Sequence, residues 1–541
     1  MRTVFLLFLY LSLPLFIFWW GWFEWWVALP PTIFLMYLLS VFLRSLPNPL
    51  FAYPKRKEWT VLLACVLTAF CWTYLSGVGG FRPAHFDYVK HHLIFNNLVR
   101  YDWPVRYADG SYLCYYHAYY LPPSLIARWV GGLSSVHYYV FGWTWLGLTL
   151  LFCLLYRLNG LKFIGLFLFF NSPEAILLVY DALRSPRLFP YLADLWHNDH
   201  TIELVRSPGG LLFHSHVDSF IATPQHALSA WMATAVLLKF WKTEPKSWHL
   251  SVLFALAAVL FYWSPLVTVG FLPLLIFFVF SKREAFLTTG TPLKIIFFAL
   301  LLSFPALIYY AGHVPLGAMN GWWFTFLKTP REFIFLGVFL GLEVGIWGGV
   351  LGYVQRKKAI PAQDFRLILW SLTVLTGLAL YRYGFNNDLA RRACLPSLLV
   401  LCWGISQYSF RQPLLAIVLA FAVVLPLKQH LRWLTAKPYS AIADRKITEL
   451  GPYSIHYLAH YHSGPFDAVV QYLGKPDAPY LRYFAPDIPP VPKQVTRAFY
   501  YWKSTFRLND YEKQALRRYA IQRLYVKFFD VDWDRTTRRA V

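Results

Sequence analysis

The run MRTVFLLFLYLSLPLFIFWWGWF, residues 1–23, indicates the class of fold. Its one charged side chain is Arg2, and as a helix it is long enough to cross the roughly 30 Å hydrocarbon core of a bilayer. It has no small-residue cleavage site and exceeds the length of a signal-peptide core, so the pattern predicts a membrane span. Comparable apolar runs recur along most of the chain.

The composition of the whole chain is typical of a membrane protein. Of its 541 residues, 57% are hydrophobic and 14% are charged, whereas soluble domains carry about a quarter charged residues. The apolar runs are continuous, which argues against the alternating pattern of a β-barrel. The sequence therefore predicts an all-α polytopic membrane protein.

Hydropathy predicts about thirteen transmembrane helices. Their predicted starts lie near residues 4, 26, 59, 135, 161, 226, 248, 265, 293, 333, 365, 391 and 412. Lys and Arg cluster in alternate turns, at 55–57, 157–162, 239–246, 282–283, 356–358 and 411. With a cytoplasmic N-terminus, all these clusters fall on the cytoplasmic face, as the positive-inside rule requires.

The long loops 78–134 and 172–225 then lie on the extracytoplasmic face of an inner or plasma membrane. We expect a multi-span domain, 1–428, followed by a small mixed extracytoplasmic domain, 429–541. Most histidines and loop acids lie on this outer face, so the active site is expected there. The net charge of +23 is explained by the basic cytoplasmic loops, with anionic lipid as the alternative, and no nucleic-acid partner is predicted.

The stretch HFDYVKHH, residues 85–92, is the first polar cluster on the outer face. If residues 85–99 are helical, Asp87, Lys90 and His91 share one face, at spacings i, i+3 and i+4. Asp87 is then a candidate general base whose pKa a histidine or lysine tunes. The alternative is a plain Asp87–Lys90 ion pair on a surface helix that lies along the membrane.

The second cluster, residues 191–231, is rich in histidines and carboxylates. His197, Asp199 and His200 are candidate ligands for a divalent metal such as Mg²⁺ or Mn²⁺, although no HExxH spacing is present. The alternative is an ordered polar loop that covers a cavity. Gln225 and His226 stand at the outer mouth of a predicted span and are candidates for hydrogen bonding a polar ligand, or for helix capping.

The third cluster is YRYGFNNDLARRACLPSLLVL, residues 381–401. Arg391 and Arg392 lie in an external loop, against the positive-inside trend, and arginine is well suited to bidentate phosphate recognition. Asp388 is a candidate ion-pair partner for either arginine. The alternatives are a surface ion-pair cluster or a different topology at this point.

Together these features resemble the GT-C superfamily of integral-membrane glycosyltransferases over the general plan of residues 1–430. Asp87 in HFDYVKHH matches the acidic catalytic residue that members carry in the first large external loop, although three predicted spans precede it here. The resemblance implies a polyprenyl-phosphate sugar donor, a glycan, lipid or protein acceptor in the cell envelope, and inversion at the anomeric carbon.

The resemblance and the chemistry of sugar transfer assign roles to the polar residues. The predicted catalytic residues are Asp87, as general base, and His91. The predicted substrate-binding residues are Arg82, Lys90, Gln225, His226, Asp388, Arg391 and Arg392. The arginines would stabilise the departing phosphate.

Two other functions fit the same sequence. A transporter or flippase of lipid-linked saccharides is favoured by Glu343, an ionisable residue within an apolar run, but no inverted repeat or pair of broken helices accompanies it. A non-catalytic assembly subunit would present the basic tail to partners and would tolerate loss of the Asp87 carboxylate.

Overall fold

The computed structural model describes most of the chain. The described residues are 1–46, 56–82, 85, 87–177, 211–284, 292–314, 320–384, 387–408, 412–435, 471–488, 498–501, 507–518, 521, 523–526, 533–534 and 539–540.

Helices form most of the described structure. In chain order they are α1 (Arg2–Trp22), α2 (Trp25–Arg44), α3 (Arg56–Leu75), α4 (Tyr88–Arg100), α5 (Leu121–Val130), α6 (Val136–Phe169), α7 (His216–Ala222), α8 (Pro224–Trp241), α9 (Ser247–Trp263), α10 (Pro265–Ser281), α11 (Pro292–Ala311), α12 (Trp323–Phe326), α13 (Pro330–Leu340), α14 (Ile346–Arg356), α15 (Ala362–Leu380), α16 (Asp388–Tyr408), α17 (Pro413–Ala422), α18 (Val424–Thr435), α19 (Pro479–Tyr483) and α20 (Asp510–Arg518). A π-helical segment, Gly341–Gly345, joins α13 to α14, and short 3-10 turns lie at Val78–Gly80 and Leu133–Ser135.

The strands are short and form two-stranded pairs. They are β1 (Tyr112–Leu113), β2 (Gly321–Trp322), β3 (Tyr381–Arg382), β4 (Leu473–Gly474), β5 (Ala498–Tyr501), β6 (Arg523–Val526), β7 (Trp533–Asp534) and β8 (Arg539–Ala540). The pairs β1–β4, β2–β3 and β7–β8 are antiparallel, and β5–β6 is parallel.

Within the described residues, seven helices are long and apolar enough to cross a bilayer. They are Arg2–Trp22, Trp25–Arg44, Glu58–Leu75, Leu133–Phe169, Pro330–Arg356, Asp388–Tyr408 and Pro413–Leu434. Such runs form helices because a backbone in hydrocarbon must satisfy its own polar groups. A mostly helical fold with several helices able to cross a bilayer agrees with the predicted class, a helical multi-pass membrane protein. A helical segment also begins close to each of the predicted span starts, whereas the number of crossings stays a prediction.

Helix α6 is a hairpin of two helical segments. Its backbone leaves the helical region at Asn159 (φ −156°) and Gly160 (φ 70°), and the rings of Phe152 and Phe167 lie 6.1 Å apart. Fifteen residues of straight helix would separate them by about 22 Å, so the chain turns back at Gly160. The turn agrees with the prediction of two separate helices that start near residues 135 and 161. The second segment, residues 161–169, is only about 13 Å long.

Helix α16 occupies the centre of the bundle. It packs against α6, α8, α10 and α15. In its most apolar stretch, 83% of the residues are buried. The contact with α10 is close at Gly270, where an added Cβ would overlap the backbone of Ala393. Glycine permits such close helix packing in membranes, and this contact helps to fix the start of α16, which carries Asp388, Arg391 and Arg392.

Part of the C-terminal tail docks on the first loop. Strand β4 pairs with β1, Leu473 opposite Leu113, and the hydroxyl of Tyr480 donates a 2.7 Å hydrogen bond to the Trp22 carbonyl. Residues 471–488 therefore pack against the loop 78–134 and the end of α1. They fall in the segment expected to form a separate domain.

Candidate functional site

Asp87 stands immediately before α4, where the helix dipole favours a negative charge. Its Oδ1 lies 2.8 Å from Nζ of Lys90, and the two side chains are only 17% and 14% exposed. Its backbone N–H donates to Nδ1 of His85 at 3.2 Å. The predicted Asp87–Lys90 pair is therefore present, in a partly enclosed setting. The helix begins at Tyr88 and not at residue 85.

The Asp87 carboxyl is held ionised. Burial alone would raise its pKa, but the Lys90 ammonium and the His85 ring beside it bring the pKa well below the ordinary value. Burial lowers the pKa of His85 to about 4, opposed by Asp87 and aided by Lys90. The ring is therefore neutral at physiological pH, consistent with Nδ1 accepting a hydrogen bond, and Lys90 is the cation that stabilises the carboxylate.

His91 connects three parts of the fold. Its Nδ1 lies 2.6 Å from the Tyr120 hydroxyl and its Nε2 lies 3.2 Å from the Ala222 carbonyl oxygen. Since a carbonyl only accepts, Nε2 carries the proton and Nδ1 accepts from Tyr120. Burial, followed by Lys90, lowers the pKa of His91 to about 3. This predicted catalytic residue thus has both ring nitrogens engaged in holding α4 against α5 and α7.

The arginine cluster lies at the start of α16. Nη1 of Arg392 is 3.0 Å from Oδ1 of Asp388, at spacing i,i+4, with the two side chains 15% and 22% exposed. Arg392, one of the two partners considered for Asp388, makes an ion pair with it. A guanidinium so held keeps its remaining N–H groups available for orientation toward an anion.

Two tyrosines bring the Asp87 and Arg392 clusters together. The pKa of Tyr116 is raised by burial, lowered by Arg392 and raised by Asp388 and Asp87. The pKa of Tyr472 is raised by burial, and the same three charged residues act on it. Asp87 and Arg392 are far apart in the chain, yet both lie close enough to influence the pKa of the same two phenols.

The same charged groups also act on His214. Its pKa is lowered well below the ordinary value by burial and then by Arg391, His85 and Arg392, while Asp87 raises it. Arg391 therefore belongs to the same cluster as Asp87. We call the set Asp87, Lys90, Tyr116, His214, Asp388, Arg391, Arg392 and Tyr472 the outer cluster.

Gln225 and His226 border the outer cluster at the start of α8. Both are fully buried, and the His226 ring packs on the Tyr116 ring at 4.9 Å. Within the described part of the chain, neither the Gln225 amide nor the His226 ring nitrogens have a hydrogen-bond partner. Unpaired buried polar groups cost about 1–3 kcal/mol each, so these side chains are suited to a hydroxyl-bearing ligand.

Arg82 is engaged elsewhere. Its Nη2 donates to the carbonyl oxygens of Trp433 and Leu434, at 2.9 Å each. These carbonyls belong to the last turn of α18, where a cation is favourable. In this structure Arg82 caps a helix end.

The predicted metal ligands cannot be placed. His197, Asp199 and His200 fall within 178–210, outside the described residues. In the part that is described, no group of three or more His, Cys, Asp or Glu side chains could hold a metal ion. A divalent ion at these residues stays a prediction.

Tyr116 and Tyr472 were not predicted from the sequence. Tyr116 lies in the aromatic run CYYHAYY, residues 114–120, whose composition was a usable signal. Tyr472 lies far along the tail and reaches the site because the Cys114 N–H donates to its carbonyl oxygen at 2.8 Å and its ring packs on Tyr115 at 4.8 Å. Nothing local marks it.

Comparison with known proteins gives no assignment. No family model, no curated protein and no solved structure matches the chain. Any functional conclusion therefore depends on the geometry of the outer cluster.

Proposed function

We propose that this protein is a membrane glycosyltransferase of GT-C type. It would move a sugar from a polyprenyl-phosphate donor to a glycan, lipid or protein acceptor of the cell envelope. The observation that carries this proposal is the shared surroundings of Asp87 and Arg392, which both act on Tyr116 and Tyr472. A fixed carboxylate and a guanidinium that act on the same groups supply the two charges that sugar transfer from a phosphate requires.

In the proposed reaction the acceptor hydroxyl oxygen bonds to the anomeric carbon as the carbon–oxygen bond to the phosphate breaks. The hydroxyl proton passes to the Asp87 carboxylate, and the lipid phosphate leaves with the bonding electron pair. Attack on the face opposite the phosphate inverts the anomeric carbon. Lys90 keeps Asp87 ionised before the reaction, and Arg391 and Arg392 stabilise the negative charge that develops on the leaving phosphate.

The sugar would lie against the start of α8, at Gln225 and His226. The Gln225 amide has donors and an acceptor, and the His226 imidazole has one of each when neutral. Paired donors and acceptors suit sugar hydroxyls, and the phenol of Tyr116 next to His226 offers a flat face for a sugar ring.

The proposed topology has about thirteen spans, a cytoplasmic N-terminus and the outer cluster on the extracytoplasmic face. The agreement between the predicted starts of the spans and the observed starts of the helices supports this number of spans. The short second segment of α6 would enter the bilayer for about half its thickness.

A transporter or flippase of lipid-linked saccharides is the second candidate. Glu343 is 2% exposed and lies on the π-helical segment of the candidate span Pro330–Arg356, and π-helical turns are frequent at functional sites. Burial raises the pKa of the neighbouring Glu174 to about 7, opposed by the nearby Glu343 and Ser172 side chains. A carboxyl that titrates near neutral pH suits proton-coupled transport.

One experiment separates the two functions. The purified protein in liposomes is given radiolabelled polyprenyl-phosphate sugars, and both sugar transfer and lipid movement across the bilayer are measured for wild type, Asp87→Asn and Glu343→Gln. The transferase proposal expects transfer that Asp87→Asn abolishes. Movement without transfer, lost in Glu343→Gln, would support the carrier and contradict the transferase.

A further inference from the structure

An apolar groove of about 470 Å³ lies between α6 and the α17–α18 pair. One wall is formed by Lys162, Gly165, Leu166 and Phe169 of α6. The other is formed by Leu419, Val423 and Leu427. The spacings i, i+3, i+4, i+7 and i, i+4, i+8 place each set on one face of its helix, so two helical faces oppose each other across an open space.

The groove is open because α6 provides little side-chain volume there. Gly165 is exposed, and a Cβ built on it would meet no atom within 4 Å. The asparagine–glycine turn at 159–160 starts this short segment, and Asn159 anchors the turn through a 2.8 Å hydrogen bond from its amide to the Ser406 hydroxyl. The open face is therefore part of a fixed hairpin.

The dimensions of the groove match one leaflet. The helical rise from Leu419 to Leu427, nine residues, is about 12 Å, and half of the hydrocarbon core measures about 15 Å. Phe169 marks one end, where its ring packs on His430 at 4.8 Å. Lys162 marks the other end.

Lys162 gives the groove a charged mouth. Its side chain is exposed, and within the described part of the chain it makes no ion pair. Arg157, also exposed, stands just before the turn. A cation at one end of a leaflet-deep apolar groove is complementary to an anionic headgroup on an acyl chain.

We propose that this groove binds a phospholipid with an anionic headgroup, one acyl chain lying between α6 and α17–α18 and the phosphate pairing with Lys162. The inference is independent of the proposed transferase activity. Lys162 is not a member of the outer cluster, so the phosphate bound here is not the reacting phosphate of a lipid-linked donor.

The test is lipid retention by the full-length protein. Detergent-purified protein is incubated with phosphatidylglycerol or phosphatidylcholine of identical acyl chains, and the bound lipids are counted by native mass spectrometry. Wild type is expected to retain phosphatidylglycerol about fivefold better than phosphatidylcholine, the effect of one lysine near a headgroup. Lys162→Gln is expected to remove this preference, and Gly165→Leu, which fills the groove, to reduce retention of both lipids.

The control is Gly142→Leu, on the first segment of α6, where an added Cβ also meets nothing within 4 Å. It is expected to retain both lipids as wild type does. Val423→Phe fills the groove from the opposite wall and serves as a second variant if Gly165→Leu does not fold. Equal retention of the two lipids by wild type, or wild-type retention by a folded groove-filling variant, would overturn the proposal, as would selective retention of polyprenyl phosphate over phosphatidylglycerol.

Discussion

Nζ of Lys90 lies 2.8 Å from Oδ1 of Asp87, one helical turn away and partly shielded from solvent. Since burial opposes ionisation of Asp87 and Lys90 is the largest influence that favours it, this contact decides the protonation state of the proposed base. A carboxylate held by one ammonium can accept a proton during reaction and return to the paired state afterwards.

Lys90→Gln is expected to raise the pKa of Asp87. In the wild type the lowered pKa keeps Asp87 ionised above its ordinary value of about 3.9, so its protonation does not limit turnover at higher pH. In the variant, burial acts without the ammonium, and the acid limb of the pH profile of kcat/KM should move upward by about one pH unit or more.

The control for this prediction is Lys513→Gln. Lys513 pairs with Asp510 at the same i,i+3 spacing, 3.2 Å apart, on an exposed helix. Its loss should leave the pH profile unchanged. An unchanged acid limb in Lys90→Gln would mean that the ammonium does not control Asp87.

His91→Phe is expected to lower the free energy of unfolding by about 1–3 kcal/mol, because the Tyr120 hydroxyl and the Ala222 carbonyl lose a buried partner. The folded-state pKa of His91, about 3, lies below the unfolded value of about 6.5. The unfolded state therefore binds the proton more readily. The free energy of unfolding of the wild-type protein consequently falls as pH drops below about 6.5. The loss of unfolding free energy caused by His91→Phe should be largest at pH 7 to 8 and should become smaller toward pH 4.

Chemical unfolding in detergent between pH 4 and 8 measures this effect. Tyr120→Phe is the matched variant, because it removes the same hydrogen bond but keeps the titrating ring. Its cost should change little with pH. A cost of His91→Phe that grows on acidification would contradict the neutral bridge described here.

Gly270→Ala is expected to destabilise the bundle by about 1–3 kcal/mol, the usual cost of overpacking. The added methyl group meets the backbone of Ala393, so α16 must shift and take the arginine cluster with it. The melting temperature and the rate of turnover should both fall. Gly349→Ala, where the added Cβ meets nothing within 4 Å, should leave both unchanged, and equal melting temperatures for the two variants would contradict the close contact.

Tyr472→Phe is expected to reduce turnover by about tenfold or more while leaving the fold intact, since it removes only a hydroxyl from the outer cluster. Tyr480→Phe removes the bond to the Trp22 carbonyl and should lower the melting temperature instead. Steady-state kinetics and thermal unfolding of both variants separate the two roles. Wild-type turnover by Tyr472→Phe would exclude this hydroxyl from the mechanism.

The helices and the first ion pair could be predicted because their signals are local. Apolar runs give the helix positions, and a spacing of three residues places Lys90 beside Asp87. The alternative of a surface helix lying along the membrane does not fit α4, because its apolar residues Val89 and Leu93 are buried within the protein. Helix α5 and the turn that follows it pack on α4. A sequence pattern shows that a face is apolar but not what covers it.

The arrangement around Asp87 could be predicted only in part. The residue types suitable for a base and a phosphate site were recognisable, but no spacing indicated that Tyr472 would join Tyr116. That contact depends on the pairing of β1 with β4, two strands of two residues each, too short to leave a periodic signal. Likewise, the guanidinium of Arg82 is suited to binding phosphate, but in the fold it donates to carbonyls at the end of α18. The sequence near Arg82 does not indicate that α18 lies beside it.

The central claim is tested most directly by the rate of sugar transfer in Asp87→Asn, with saturating polyprenyl-phosphate sugar and Asp102→Asn as the control. Asp102 lies in the same loop and pairs with Arg128 at 3.1 Å, but its side chain is 75% exposed. The account predicts a loss of at least about 100-fold for Asp87→Asn, the usual contribution of a general base, with near wild-type transfer by Asp102→Asn. Equal transfer by wild type and Asp87→Asn would contradict it.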